Sequence, residues 1–199
     1  MEKRSINFEL RAKKDSRTIF GTATVFNSSY DMGWYDEEMS ADSLNEADMK
    51  DVVALFNHDM NMVLARTSSG TLKLNVTGNA MEYEFEAPNT TLGNDLLEMV
   101  KRGDVYQSSF AFTVEAEDWQ ERLGMKPKRV IRSIAKVYDV SPVTYPANPD
   151  TMVAKRSYEA TKEIDKDLQT IIDISVKSEI NIQNELRRNA LHLLNLKTK

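Results

Sequence analysis

Apolar and polar positions alternate with a period of two along much of the first three quarters of the chain. Ile6, Phe8 and Leu10 alternate with polar neighbours. So do Ile19, Gly21, Ala23 and Val25, then Leu72, Leu74 and Val76, then Met81, Tyr83 and Phe85. This spacing places alternate side chains on one face, so each stretch is expected to be a half-buried strand. The apolar run Asp51–Phe56 and the stretches Tyr106–Glu115 and Arg129–Tyr138, rich in β-branched and aromatic residues, are expected strands as well. Two helices are expected among them. One covers Ala41–Lys50. The other starts near Thr91, runs through Leu96, Leu97 and Val100, and ends at Gly103, a glycine placed as a helix C-cap.

The rhythm then changes. Ser141–Asp150 carries three of the five prolines and is expected to leave regular structure, because proline neither donates to a ladder nor continues a helix. After Tyr158 there is no glycine or proline. Ile164, Leu168, Ile171, Ile172, Val176, Ile182, Leu186, Leu193 and Leu194 recur at helical spacing, which predicts one long helix or two. The expected fold class is α+β and mostly β: a closed or nearly closed barrel surrounded by a few helices, plus a C-terminal helical tail. The expected division is a β-domain over 1–157 and a helical tail over 158–199. An amphipathic tail must bury its stripe on its own domain or on another chain.

Composition narrows the chemistry. With 41% hydrophobic residues in 199, the chain can build an ordinary core. A net charge of −5 argues against a general nucleic-acid binder. No apolar run approaches the ~20 residues that span a bilayer, and the first residues lack the apolar stretch of a secretory signal, so neither membrane nor export is expected. The absence of cysteine excludes disulfides, thiolate metal sites and cysteine nucleophiles. Only two histidines, His58 and His192, exclude a three-histidine metal site and an HExxH zinc site. Neither GxGxxG nor GxxxxGK[ST] occurs. No cofactor and no metal is expected.

Three positions could carry chemistry. His58 follows the apolar run ending at Phe56, at what would be a sheet rim; it is a candidate general base, or a turn histidine bonded to Asn57 or Asp59. Ser109 would project from a strand opposite the aromatic face of Phe110 and Phe112, beside the small Ala111. It is a candidate nucleophile if a base takes its proton, or a strand serine bonded to backbone. Asp139 is an acid among apolar residues, and a buried carboxylate needs a partner. That partner could be an imidazole N–H, or a cation such as Lys136, or the residue could cap a turn.

Several landmarks, in order, resemble the prohead proteases of tailed bacteriophages, the serine proteases of capsid maturation. They are Gly21-Thr22-Ala23-Thr24-Val25-Phe26, Val53 through Asp59 with His58, Leu64 through Leu72, Arg102-Gly103-Asp104, Ser109-Phe110-Ala111-Phe112, and Asp139 through Asn148. The resemblance runs from about Phe20 to Ser157. It implies a fold related to the herpesvirus capsid-maturation protease, a β-barrel ringed by helices. It also implies His58 as general base, Ser109 as nucleophile and Asp139 as third member, where the family often has Glu. Ser108 is the neighbouring alternative nucleophile. His192 lies in the tail, away from the motif. No arginine follows Asp139 until Arg156, so backbone N–H groups are the default oxyanion donors. The implied substrates are the scaffolding segment of the major capsid protein and the protease itself, and the implied location is the host cytoplasm, inside the assembling prohead. The tail would serve assembly, scaffold binding or self-association. The competing readings are a catalytically silent capsid-assembly module with the same fold, a hydrolase using Lys101 or Lys136 as base, and a binder of membranes or partners through the tail.

Overall fold

A computed structural model describes residues 1–6, 10–145 and 151–197. In chain order its elements are β1 (Glu2–Ile6), β2 (Leu10–Ala12), β3 (Thr18–Val25), β4 (Ser29–Asp31), β5 (Asp36–Met39), β6 (Val53–Leu55), β7 (Val63–Arg66), β8 (Leu72–Val76), β9 (Ala80–Glu86), α1 (Thr91–Arg102), β10 (Gln107–Gln120), β11 (Lys128–Val143) and α2 (Thr151–Lys197). They fall into two compact units, Met1–Thr151 and Met152–Lys199.

The first unit is α+β and mostly strand. Seven strands form one sheet, in the order β1-β10-β11-β5-β4, with β6 paired to β11 and β7 to β6. Four form a second sheet, β2-β3-β9-β8. A single core joins them: Ile19 of β3, Met81 and Phe85 of β9, Leu96 of α1, Phe110 and Phe112 of β10, and Ile131 and Ile134 of β11 are all buried in it. The inward members of the alternating stretches supply it, as period-two patterning requires. Helix α1 starts at Thr90, whose side chain accepts from the Gly93 N–H, and stops at Gly103 with φ 83°. Only a residue tolerant of the left-handed region closes a helix this way without strain.

Several expectations need correction. The described strands form two open sheets and not a closed or nearly closed barrel. Ala41–Lys50 is a chain of turns instead of a helix. Ser43, Asn45 and Ala47 donate to the carbonyls of Ser40, Asp42 and Leu44, and three further backbone bonds tie the segment to β11: Asp48 N–H to the Ala135 carbonyl, and the Ile134 and Val137 N–H groups to the carbonyls of Ser43 and Asp48. Pairing with β11 takes the groups that a helix would have used internally. Ile6 and Leu10 belong to strands of different sheets, and Phe8 lies outside the described residues. Regular structure continues past Ser141: β11 runs to Val143, and Pro142 pairs with Ser108 while its carbonyl accepts from the Asn57 N–H. Residues 146–150 lie outside the described residues.

The second unit is helical, and α2 is continuous. Ile164, Leu168, Ile171 and Ile172 are exposed along it.

Candidate active site

The seven-stranded sheet carries the site on the face opposite Phe110 and Phe112, whose stacked rings, 4.5 Å apart, belong to the core. On β10, Ser109 pairs with Ser141 of β11, and Ala111 pairs with Asp139. Directly opposed residues share a face, so Ser109, Ala111, Asp139 and Ser141 all project to the same side. Ala111 leaves the room between them. Strand β6 runs parallel to β11 with Val53 opposite Asp139. The chain leaving β6 therefore emerges beside the acid, and His58 stands there.

The three predicted residues meet. His58 Nδ1 is 2.6 Å from Asp139 Oδ1, and His58 Nε2 is 2.6 Å from Ser109 Oγ. A carboxylate only accepts, so the Nδ1 position carries the proton and Nε2 offers its lone pair to the serine. Ser141 donates to the same Asp139 oxygen at 2.6 Å. The cluster is sealed: Ser109 is 0% exposed, and the side chains of His58 and Asp139 are 5% and 7% exposed.

Both Asn57 and His58 hold φ at 56°. Non-glycine residues enter the left-handed region at a cost, asparagine least, and such strain persists where surrounding bonds enforce it. The bonds here come from Asn57. Its N–H donates to the Pro142 carbonyl at 3.0 Å, its amide nitrogen to Thr144 Oγ1 at 3.2 Å, and its Oδ1 accepts from the Thr144 N–H at 2.9 Å. The end of β11 thus holds the turn that aims the imidazole.

The alternatives separate from this cluster. Ser108 projects to the other face and meets the buried Tyr83 hydroxyl at 2.9 Å, a group whose pKa burial pushes up. Lys136 pairs with Asp48 at 3.1 Å and lies over the Tyr138 ring. Lys101 sits in the last turn of α1 and is exposed. Arg156 lies in α2, and the side chain of His192 lies outside the described residues. No group of three or more His, Asp or Glu side chains among the described residues is placed to hold a metal ion.

Sequence reasoning missed two participants. Ser141 stands in the motif after Asp139 with no role of its own, although its position two residues on along a strand puts it on the acid's face. Arg4 was not singled out. Its carbonyl accepts from Ser109 Oγ at 2.9 Å, and nothing in the local pattern announces a contact across 105 positions.

The same sheet buries an ionic network on its other face. The Arg4 guanidinium donates to both Glu37 oxygens, at 2.5 and 2.8 Å, and to Glu2 at 2.5 Å. Arg129 donates to Glu2 at 2.7 and 2.9 Å, to Glu37 at 3.0 Å, and to Glu117. Burial works against ionising Glu2, but the hydrogen bonds and charges of Arg129 and Arg4 outweigh it and hold its pKa below the ordinary 4.5. Burial beside these carboxylates pushes the Tyr35 hydroxyl up to about 12.

A family model described as caudovirus prohead serine protease matches residues 6–164. No curated protein and no solved structure matches the chain.

Proposed function

Because the chain belongs to the caudovirus prohead serine protease family, a family of phage capsid-maturation proteases, we propose that it is an endopeptidase that works through Ser109, His58 and Asp139. The observation that carries this reading is the unbroken relay from Asp139 through His58 to Ser109, with 2.6 Å at each link. His58 Nε2 takes the hydroxyl proton as Ser109 Oγ attacks a peptide carbonyl. Asp139 holds the ring in the tautomer that can accept it and stabilises the imidazolium that forms. His58 returns the proton to the leaving amine, then serves again as base for the water that hydrolyses the acyl-enzyme. Proton transfer of this kind contributes ~10²–10⁴-fold. Backbone N–H groups are the proposed donors to the oxyanion.

The proposed substrates are the scaffolding segment of the major capsid protein and the protease itself, cut inside the assembling prohead. The helical tail over 158–199 is proposed as the assembly element. The exposed Ile164, Leu168, Ile171 and Ile172 support this, since such a stripe seeks a partner surface.

The test co-expresses the wild type or Ser109→Ala with the capsid precursor and follows both chains by intact mass. Cleavage by wild type alone is expected. Equal cleavage by both removes Ser109 from the role. Absence of cleavage by either, repeated inside assembled proheads, favours a silent assembly module.

A further inference from the structure

Strand β1 covers the edge of β10 at the nucleophile. Its register runs Glu2 to Phe112, Lys3 to Ala111, Arg4 to Phe110, Ser5 to Ser109 and Ile6 to Ser108, so the pairing brackets Ser109 on both sides. Without β1, the edge of β10 would present unpaired N–H and C=O groups, the template that an extended peptide completes by adding a strand. The group β1 brings to Ser109 is a peptide carbonyl, that of Arg4. We infer that β1 is a built-in stand-in for the substrate strand: the edge of β10 is the peptide-binding subsite, and the place held by Arg4 selects a basic residue. This rests on the reading of Ser109 as nucleophile.

The contact is an unproductive one. A serine hydroxyl has one proton, and two acceptors compete for it: His58 Nε2 at 2.6 Å and the Arg4 carbonyl oxygen at 2.9 Å. In an attacking complex the carbonyl carbon faces Oγ, and its oxygen points to the oxyanion donors. With β1 in place the oxygen faces Oγ instead, and the sealed cluster admits no second chain. Substrate must displace β1 to reach the serine.

The other face of β1 says what should replace it. Glu2 and Arg4 pair with Phe112 and Phe110, so they project away from Ser109 into the buried network. The Arg4 guanidinium is forked on Glu37 and lies 5.7 Å from the Phe112 ring centre. Both contacts suit a planar cation. When β1 leaves, Glu2 and Arg4 go together, and Glu37, Glu117 and Arg129 remain. Two carboxylates and one guanidinium make the vacated place acidic. The incoming strand therefore carries arginine, or lysine with one point contact fewer, at the residue whose carbonyl meets Ser109.

A fluorophosphonate reads this directly, because Ser109 Oγ bonds to phosphorus as fluoride leaves and the hydroxyl proton passes to His58. The full-length wild type, Arg4→Met and Lys3→Pro are compared, with Ser109→Ala as the blank. Lys3→Pro removes a backbone N–H of β1 but keeps every buried charge, so it carries the test if Arg4→Met fails to fold. Labelling about tenfold faster in either variant is expected, since reactivity scales with the fraction of molecules whose site is open. A peptide of the β1 sequence EKRSI should slow that labelling, and its Arg-to-Met form should not. Ser109-dependent labelling at equal rates in wild type and variants overturns the inference and leaves the nucleophile in place. So does equal competition by the two peptides. No labelling at Ser109 in any variant overturns the nucleophile itself, and the inference with it.

Discussion

Ser141 Oγ and His58 Nδ1 approach the same oxygen of Asp139, each at 2.6 Å. The serine thereby fixes the rotation of a carboxylate whose task is to orient the ring. Ser141→Ala should free that rotation and leave a buried lone pair unmet. We expect kcat to fall about tenfold with KM unchanged, the pattern of a group felt only in the transition state. Ser141→Thr, which keeps the hydroxyl, should recover part of the loss. Steady-state kinetics on a capsid-derived peptide decides it, and a change confined to KM would remove Ser141 from this role.

Asp139→Asn should be far more damaging while leaving the fold intact. An amide N–H aimed at Nδ1 forces the proton onto Nε2, the nitrogen that must accept from Ser109. A fall of roughly 10³–10⁴ in kcat is expected. A variant retaining a tenth of wild-type activity would show that Asp139 does not set the tautomer.

The two adjacent serines should behave oppositely. Ser109→Ala should abolish turnover. Ser108→Ala should remain active but lose about 1–3 kcal/mol of stability, because the buried Tyr83 hydroxyl loses its 2.9 Å partner. Thermal melts beside activity assays separate the effects. Gly21→Ala reaches the same tyrosine from the other side. A Cβ there would lie 2.3 Å from the Tyr83 ring, so overpacking of about 1–3 kcal/mol is expected.

Acid should loosen β1. The folded-state pKa of Glu2 is depressed, so its contribution to stability is complete above the ordinary 4.5 and is lost as pH falls through the lower folded value. Hydrogen exchange of the β1 amides, corrected for intrinsic rates, should accelerate below pH 4.5 and hold steady between there and neutrality. Glu2→Gln should abolish that acid dependence. An acid dependence unchanged in Glu2→Gln would place its origin elsewhere.

Strands β3 and β9 and helix α1 were legible because their information is local. Alternation over Ile19–Val25 and Met81–Phe85 follows from the pleat, and the stretch from Thr91 to Gly103 carries its own periodicity and stop signal. The resemblance also drew attention to His58, Ser109 and Asp139 before any geometry was known. Pairing partners were not legible. Ala41–Lys50 has helical composition, yet bonds to β11 claim its backbone, and the same β11 continues through a proline that local rules would place outside a strand. Glu2 and Arg4 look like solvent-facing charges and become buried only because Glu37 and Arg129 arrive from distant strands. Composition and spacing therefore determined the elements and the chemistry available to them. Tertiary structure decided which hydroxyl meets the imidazole across 51 positions, which acid meets it across 81, and that β1 pairs along the strand that carries the hydroxyl. Strand pairing is the reason: it joins residues far apart in the chain through backbone groups that every residue shares, so side-chain patterns constrain the strands far more than their neighbours.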